Sequence, residues 1–269
     1  MVGVTARIRL GVQSRLVPGS SLRERRETAL RYGFDGIELS GPSMLELAAE
    51  AIRDGVEVSA ICSGHRGWLI DPDPAQVRAA RDDIGQLLEL AAQLGAPLIL
   101  VPIYGRNRKF PGMDTGRTPE EDESLWLEGL RLATDRAEEV GAQILIEPIN
   151  RYENSVTITV ADAVRWASEM NSACVRPMAD VFHMNIEEAD LGAAIESTGP
   201  ALGYVHLGDS QRLEPGQGHL DWDAVFGALD RIGYDGWATM ECNLSGPAED
   251  VLPAAASFVR GRIAASVSA

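Results

Sequence analysis

Apolar runs that favour β-strands alternate with longer amphipathic runs that favour α-helices along the whole chain, and this alternation constrains the fold more than any other feature. Strands are predicted at residues 10–12, 56–62 and 97–103, residues 33–39 are predicted as a turn into the second strand, and four further strands end at Glu147, Asp180, His206 and Glu241. Helices are predicted at residues 21–31, 43–53, 74–94, 119–140, 160–170, 187–197, 222–232 and 247–262. The chain therefore reads as eight successive strand–helix units.

Eight such units in 269 residues predict a single (β/α)8 TIM barrel, an α/β fold in which residues 1–269 form one domain. The alternative is an open, doubly wound sheet. That fold commonly carries a Gly-x-Gly-x-x-Gly turn after an early strand, and this sequence has no such turn. We therefore expect the barrel.

Charge and apolar content exclude several classes of partner. The formal net charge is −16 and the pI is about 4.7, whereas a nucleic-acid-binding protein needs a basic face. The longest apolar run, residues 97–104, is much shorter than the roughly 20 residues that span a bilayer. The three cysteines are an odd number without a Cys-x-x-Cys motif, which fits a reducing compartment. We expect a soluble, cytoplasmic protein that binds neither nucleic acid nor membranes.

Polar residues of metal-ligand type end the last four predicted strands: Glu147, Asp180, His206 and Glu241. The active site of a (β/α)8 barrel lies at the carboxyl ends of its strands, so these side chains are expected to meet at one mouth. Three carboxylates and one imidazole favour Mn2+, with Mg2+ or Co2+ as alternatives, and are less specific for Zn2+. A single acid at a strand end is more often a helix cap or a turn residue, so the prediction depends on the four occurring together.

A divalent cation with open coordination positions would suit proton transfer at a carbon beside a carbonyl, because it polarises the carbonyl and stabilises the enediolate. Glu147 and Glu241, on different strands, are then placed to act as base and acid on opposite faces of that carbon. Glu153, His183 and Arg212 follow three of the strand ends on predicted loops, where they are expected to hydrogen-bond substrate oxygens. Considered singly, Arg212 also fits a solvated loop residue, and His183 fits a group that supports a metal ligand.

Three segments of the second half carry ordered polar motifs. Residues 147–153 read Glu-Pro-Ile-Asn-Arg-Tyr-Glu, residues 180–188 read Asp-Val-Phe-His-Met-Asn-Ile-Glu-Glu, and residues 206–236 include Gly-Gln-Gly-His-Leu-Asp and Gly-Tyr-Asp-Gly. Together they resemble the sugar isomerases and epimerases of the xylose-isomerase-like superfamily, and most of all the ketose 3-epimerases of the tagatose or allulose type. The likeness is strong over residues 142–245 and only a general pattern in the first half.

This resemblance implies roles for seven residues, all of them present at unbroken spacing. The metal ligands of the family correspond to Glu147, Asp180, His206 and Glu241. The two glutamates among them correspond to the residues that exchange the proton at C3 of the ketose. The residues that hold O1 and O2 of the ketose correspond to Glu153, His183 and Arg212.

Two loops of the first half depart from the ketose epimerases and are expected to form the far wall of the substrate pocket. Residues 63–68 read Ser-Gly-His-Arg-Gly-Trp, and His65 there is either a substrate contact or a structural histidine. Trp68 and Trp126 are expected to be packing or interface residues. The loop at residues 105–118 fits a solvated lid or a site for a phosphate or carboxylate group. Its basic residues are Arg106, Arg108, Lys109 and Arg117.

More than one reaction fits the predicted site. Our leading hypothesis is a metal-dependent ketose 3-epimerase. The same enediolate would serve an aldose–ketose isomerase of hydroxypyruvate isomerase type, or a lyase such as an inosose or dehydroshikimate dehydratase or a C-glycoside-cleaving enzyme. An apurinic endonuclease needs more than the four histidines present and a basic groove, so it is disfavoured. Because many barrels of this group pair through surfaces near the active-site loops, we expect a homodimer or homotetramer with a small-molecule sugar as the substrate.

Overall fold

Eight parallel strands close into a barrel in the computed structural model, which describes residues 8–103 and 115–266. The strands pair in chain order and the first pairs with the last, which confirms the predicted TIM barrel. The strands are β1 Arg9–Gln13, β2 Gly36–Leu39, β3 Val58–Cys62, β4 Leu98–Leu100, β5 Ile144–Ile146, β6 Val175–Asp180, β7 Tyr204–Leu207 and β8 Trp237–Met240. The helices are α1 Leu22–Arg31, α2 Met44–Asp54, α3 Pro74–Leu94, α4 Pro119–Val140, α5 Val160–Met170, α6 Val181–Glu187, α7 Leu191–Thr198, α8 Trp222–Arg231 and α9 Ala248–Ser266, with short 3-10 turns at Ser14–Leu16 and Gly199–Ala201. None of the described helices is long and apolar enough to cross a membrane.

Side chains that cap helix ends explain where several helices begin and end. Thr118 precedes α4 and accepts a hydrogen bond from the backbone N–H of Glu121, whose carboxylate accepts one from the N–H of Thr118 in return. Thr159 and Asp162 form the same reciprocal pair at the start of α5. Helix α4 ends at Val140 and is followed by the capping residue Gly141, whose φ of 76° suits a residue without a side chain. Because these caps are local, the predicted bounds of both helices agree with the structure.

The segment between β6 and β7 differs from the single helix predicted over residues 187–197. The structure has two helices there, and the first begins directly after Asp180, while the second begins after Asp190. Each aspartate caps the helix that follows it. Asp180 accepts a hydrogen bond from the N–H of His183 (3.0 Å), and Asp190 accepts one from the N–H of Ala193 (2.9 Å). As a result, His183 lies on a helix rather than on the predicted loop.

Alternate strand residues point into the barrel, and this geometry places the polar strand ends above an apolar floor. The floor is a buried cluster of Ala60, Ile99, Leu145, Met178 and Tyr204. Since side chains on a strand alternate between two faces, the residue two positions further on also points inwards. Glu147, Asp180 and His206 lie two positions after three members of this cluster. The main core contains the buried outer residues of the strands and the buried faces of the helices, and Trp126 packs there without solvent exposure, as predicted.

Candidate metal centre and active site

The four residues predicted as metal ligands converge at the carboxyl ends of β5 to β8. Asp180 is the last residue of β6 and is paired in register with His206 on β7. Glu147 and Glu241 each follow the last residue of a strand, and their backbone N–H groups donate to carbonyls of the adjacent strands β4 and β7 (3.1 and 3.0 Å). Ligand atoms of all four side chains lie within 4.8 Å of one another. The structure therefore brings these four residues together as the sequence predicts, and we call Glu147, Asp180, His206 and Glu241 the quartet.

Nδ1 of His206 faces all three carboxylates of the quartet. It lies 3.0 Å from Oε1 of Glu147, 3.1 Å from Oε2 of Glu241 and 3.7 Å from Oδ2 of Asp180. One ring nitrogen carries at most one proton and cannot donate to three carboxyl groups, and Oδ2 of Asp180 is buried with no hydrogen-bond partner among the described residues. A divalent cation would supply positive charge at this point and take oxygen and nitrogen ligands of this kind. The residues present therefore fit a divalent metal site.

The two glutamates of the quartet have different electrostatic environments. Burial raises the pKa of Glu147 to about 7, and His206 offsets only part of that effect. Burial acts in the same direction on Glu241, but the positive charges of His206 and Arg212 outweigh it and hold the pKa of Glu241 well below its usual range. Without a cation, Glu147 is therefore about half protonated at pH 7, while Glu241 is ionised.

Metal affinity is expected to rise with pH, because a cation must displace the proton of Glu147. A pKa of about 7 leaves this carboxyl about nine-tenths protonated at pH 6 and about one-tenth protonated at pH 8. The apparent Mn2+ affinity should therefore increase at least about tenfold over that interval, as measured by titration calorimetry. An affinity that does not depend on pH would contradict a protonated Glu147.

The metal-free protein should show the opposite trend in stability. A carboxyl whose pKa is raised by folding contributes stability that is fully present below its unfolded value and is lost as the pH rises through the folded value of about 7. Between pH 5 and pH 8, the Tm of the chelated wild type should therefore fall relative to that of chelated Glu147→Gln, whose amide does not titrate.

His183 and Arg212 lie beside the quartet and face each other. Nδ1 of His183 accepts a hydrogen bond from the backbone N–H of Asn150 (3.2 Å), and burial lowers the pKa of His183, so the ring is neutral with its proton on Nε2. That Nε2 lies 2.9 Å from Nη1 of Arg212, which is also a donor. Arg212 is fixed by the ring of Phe182, 4.4 Å away, and by Glu241 at 3.2 Å. Two donors that face each other repel, and a substrate oxygen that accepts hydrogen bonds from both Nε2–H of His183 and Nη1 of Arg212 would relieve this repulsion.

Glu153 lies in the loop after β5, as the sequence predicts. Its Oε1 accepts a hydrogen bond from the side-chain amide of Asn150 (3.3 Å), the residue that also holds His183. Its Oε2 is buried and has no hydrogen-bond partner among the described residues. A buried acceptor left unsatisfied is costly, so a substrate hydroxyl is a suitable donor for this oxygen.

A cavity of about 250 Å³ opens beside the quartet, with Glu147, His183, Arg212 and Glu241 in its wall. Trp68 also lines it, although the sequence predicts a packing or interface role for this residue. His65 packs edge-on against Trp68, with ring centroids 5.2 Å apart, and its Nδ1 lies 3.1 Å from the carbonyl oxygen of Gly67. Within the described part of the chain, the cavity lining includes Trp68 but not His65.

The basic residues of the 105–118 loop are only partly described. Arg117 pairs with the buried carboxylate of Asp122 at 2.7 Å and also donates to a backbone carbonyl, so it holds the start of α4 in place. Arg106, Arg108 and Lys109 lie outside the described residues. The predicted lid or anion site therefore stays a prediction for those three.

Two buried polar residues of the first strands contact the quartet, and sequence reasoning missed both. Oε2 of Glu38, on β2, lies 2.8 Å from Nε2 of His206. Gln13, on β1, donates from Nε2 to Glu38 and to Glu241, each at 2.9 Å. The sequence did carry a signal for Glu38, since it is the charged residue in the otherwise apolar strand Gly36–Leu39. A carboxylate in a buried strand needs a buried partner, but the sequence does not show which residue that is.

Comparisons with known proteins agree with this geometry. The sequence profile of the xylose isomerase-like TIM-barrel family matches residues 27–262. The 3-dehydro-D-guloside 4-epimerase of Escherichia coli K12 is 31% identical over 240 residues, which cover 87% of this chain and 92% of that protein. A D-psicose 3-epimerase of Enterocloster bolteae is 40% identical over 221 residues, which cover 78% of this chain and 72% of that protein.

The crystal structure of a 3-keto-D-glucoside 4-epimerase from E. coli, in its apo form, matches the fold with a TM-score of 0.85 at 28% identity. The match covers 95% of this chain and 100% of that one. Since its relatives are epimerases and isomerases, the protein is an enzyme of the isomerase/epimerase class. The chain belongs to the xylose isomerase-like TIM-barrel family.

Proposed function

We propose that this protein is a divalent-metal-dependent epimerase that inverts a carbon beside the carbonyl of a keto sugar. The observation that carries the proposal is the placement of Glu147 and Glu241 about one nitrogen, Nδ1 of His206, at 3.0 and 3.1 Å in the wall of the cavity. The relatives named above act on sugars, which supports a keto sugar as the substrate class.

Glu147, Asp180, His206 and Glu241 would hold the metal, for which we propose Mn2+. The bound cation supplies positive charge that polarises the sugar carbonyl and makes the neighbouring C–H more acidic. One of the two glutamates removes the proton from that carbon, and the other delivers a proton to the opposite face. This exchange inverts the carbon without changing the composition of the sugar.

The remaining polar groups of the cavity would hold the sugar in place. Nε2–H of His183 and the guanidinium of Arg212 converge on one point and can both donate to the same substrate oxygen. The buried Oε2 of Glu153 can accept a hydrogen bond from a substrate hydroxyl. Fixing the sugar at these groups would set the reacting carbon between the two glutamates and contribute to the rate through orientation.

Two positions of inversion fit the site. Inversion of a free ketose at C3 agrees with the sequence motifs and with the D-psicose 3-epimerase relative. Inversion of a 3-keto glycoside at C4 is supported by the E. coli 4-epimerase, because the match spans 92% of its sequence and its fold agrees with a TM-score of 0.85. In both cases the inverted carbon bears a hydroxyl and adjoins a ketone, so the same residues would serve. We propose a free ketose, inverted at C3, as the substrate, with a 3-keto glycoside, inverted at C4, as the alternative.

Incubation with both substrate classes in D2O tests the proposal. The Mn2+-loaded enzyme is expected to convert one epimer to the other with one deuterium at the inverted carbon, detected by NMR and mass spectrometry. The carbon that gains deuterium distinguishes C3 of a ketose from C4 of a 3-keto glycoside. Asp180→Asn is a matched control, because it removes a metal ligand, keeps both glutamates and retains a side chain that can cap α6.

Other outcomes would contradict epimerisation. Loss of water with the ultraviolet absorbance of a conjugated product would instead support a lyase on the same site. If no carbon beside the carbonyl exchanges in any keto sugar, the proposed function is refuted.

A further inference from the structure

We propose that Glu38, on strand β2, is a positioning residue for the metal centre. Its carboxylate accepts a hydrogen bond from Nε2–H of His206, and this bond turns the lone pair of Nδ1 towards the three ligand carboxylates. The inference deepens the proposed function and rests on it, because it assumes that a cation binds at Nδ1. Glu38 belongs to none of the sequence motifs, and its place in the site follows from its contacts with His206 and Gln13.

The hydrogen bond at Nε2 determines which ring nitrogen can bind a metal. Nε2 of His206 lies 2.8 Å from Oε2 of Glu38, and both side chains are fully buried. We assign the proton of this pair to Nε2, with Oε2 of Glu38 as the acceptor. In a neutral ring the lone pair is then on Nδ1, the nitrogen that faces Glu147 and Glu241. The ring of Tyr204 packs edge-on against the imidazole at 5.6 Å and helps to fix its plane.

Gln13 determines how the carboxylate of Glu38 is shared. Its Oε1 accepts a hydrogen bond from Nε of Arg15 (2.8 Å), and since arginine has no acceptor, the amide nitrogen of Gln13 must point the other way. The two hydrogens on that nitrogen reach Oε1 of Glu38 and Oε1 of Glu241, each at 2.9 Å. Glu38 therefore accepts from Gln13 with one oxygen and from His206 with the other.

Because Glu38 accepts hydrogen bonds with both carboxylate oxygens, the amide side chain of a glutamine cannot replace it. In Glu38→Gln one of the two acceptors becomes an NH2 group, which must face either Gln13 or His206. Arg15 holds Gln13 with its NH2 towards residue 38, so the new NH2 is expected to face Nε2 of His206. The ring proton then shifts to Nδ1, where it blocks the proposed metal ligand.

Mn2+ affinity and the protonation pattern of the imidazole test this role without reference to turnover. Glu38→Gln is expected to weaken Mn2+ binding in calorimetry by about 10- to 100-fold, the usual range for the partner of a metal-bound histidine. The second readout is the set of 15N shifts of the imidazoles at an Mg2+ concentration that saturates the wild type. With four histidines in the chain, the signals can be assigned by substitution. The proton of His206 should lie on Nε2 in the wild type and on Nδ1 in Glu38→Gln.

Two further variants distinguish the effect of the hydrogen bond between Glu38 and His206 from the effect of the negative charge and from a general disturbance of the barrel interior. Glu38→Asp keeps the charge but is too short to reach Nε2, so it should also weaken Mn2+ binding, and it serves if Glu38→Gln does not fold. Tyr204→Phe is the matched control, because it keeps the ring that packs against His206, removes only a buried hydroxyl bonded to Ser59 and Thr239, and leaves the contact of Glu38 intact. It should keep wild-type Mn2+ affinity and the proton on Nε2.

Several results would overturn the assignment of Glu38. These are wild-type Mn2+ affinity in Glu38→Gln or Glu38→Asp, a wild-type His206 with its proton on Nδ1, or a loss of affinity in Tyr204→Phe as large as in Glu38→Gln. A wild-type protein that binds Mn2+ but epimerises no keto sugar would refute the proposed function and leave this assignment intact. A wild-type protein that binds no Mn2+ would refute both.

Discussion

Replacement of either Glu147 or Glu241 by Gln is expected to lower kcat/KM for epimerisation by roughly 10³-fold or more, because each change removes a proton-transfer group and weakens a metal ligand. The measurement is epimerisation at saturating Mn2+, with the metal content of each variant determined. Glu214→Gln is a suitable control, since Glu214 is also buried but accepts hydrogen bonds from Ser245 away from the quartet. It should leave the rate unchanged.

Deuterium exchange in the same two variants would show whether the glutamates act on opposite faces. The glutamate that remains can still remove the proton that faces it and return deuterium to the same face. Each variant should therefore exchange one epimer without inverting it, and the two variants should prefer opposite epimers. Exchange confined to the same epimer in both variants would contradict the two-base mechanism, and so would full inversion in either one.

Removal of the metal is expected to abolish turnover and to destabilise the fold. Asp180 and the two glutamates converge on His206 in the barrel interior, and a bound cation would offset their mutual repulsion. At a Mn2+ concentration about 100 times the Kd, binding adds about 2.7 kcal/mol of stability. For a chain of this size, Tm should then rise by roughly 5–10 °C relative to the chelated protein. Differential scanning calorimetry before and after re-addition of Mn2+ measures the shift.

The Asp180→Asn variant controls for effects of Mn2+ outside the quartet, because it should lose most of the metal-dependent rise in Tm. Full activity in protein shown by elemental analysis to be metal-free would refute a role for the cation. An equal rise in Tm for wild type and Asp180→Asn would place the bound ion elsewhere.

The barrel and the metal quartet could be predicted because both depend on local patterns. Each strand–helix unit has its own apolar period, and each predicted ligand lies within one residue of the end of a strand, as His206 does two residues after the inward-facing Tyr204. The short helix α6 was not predicted, because its start depends on the capping hydrogen bond of Asp180. Asp180 has the residue type expected of a ligand, and nothing in its spacing shows that it also starts a helix.

Glu38 and Gln13 could not be assigned from the sequence for a different reason. Glu38 contacts His206, 168 positions away, and Gln13 contacts Glu241, 228 positions away. The contact of Glu38 with His206 crosses the barrel interior from β2 to β7, whereas Gln13 and Glu241 lie at the carboxyl ends of the paired strands β1 and β8. Residue spacing shows which side chains point inwards, but it carries no information on which of them meet. The contacts become visible only once the register of β1 with β2 and with β8 is known.

The pairing of β1 with β8 makes the complete metal centre depend on closure of the barrel. Contacts between distant segments carry a loop-closure entropy that must be met before they stabilise the chain, so they tend to form late. A chain in which only β5 to β8 had assembled would contain all four metal ligands but lack Glu38 and Gln13, which contact them in the closed barrel. High-affinity metal binding is then a property of the closed barrel, and a cation present during refolding would favour the native state over partly assembled ones.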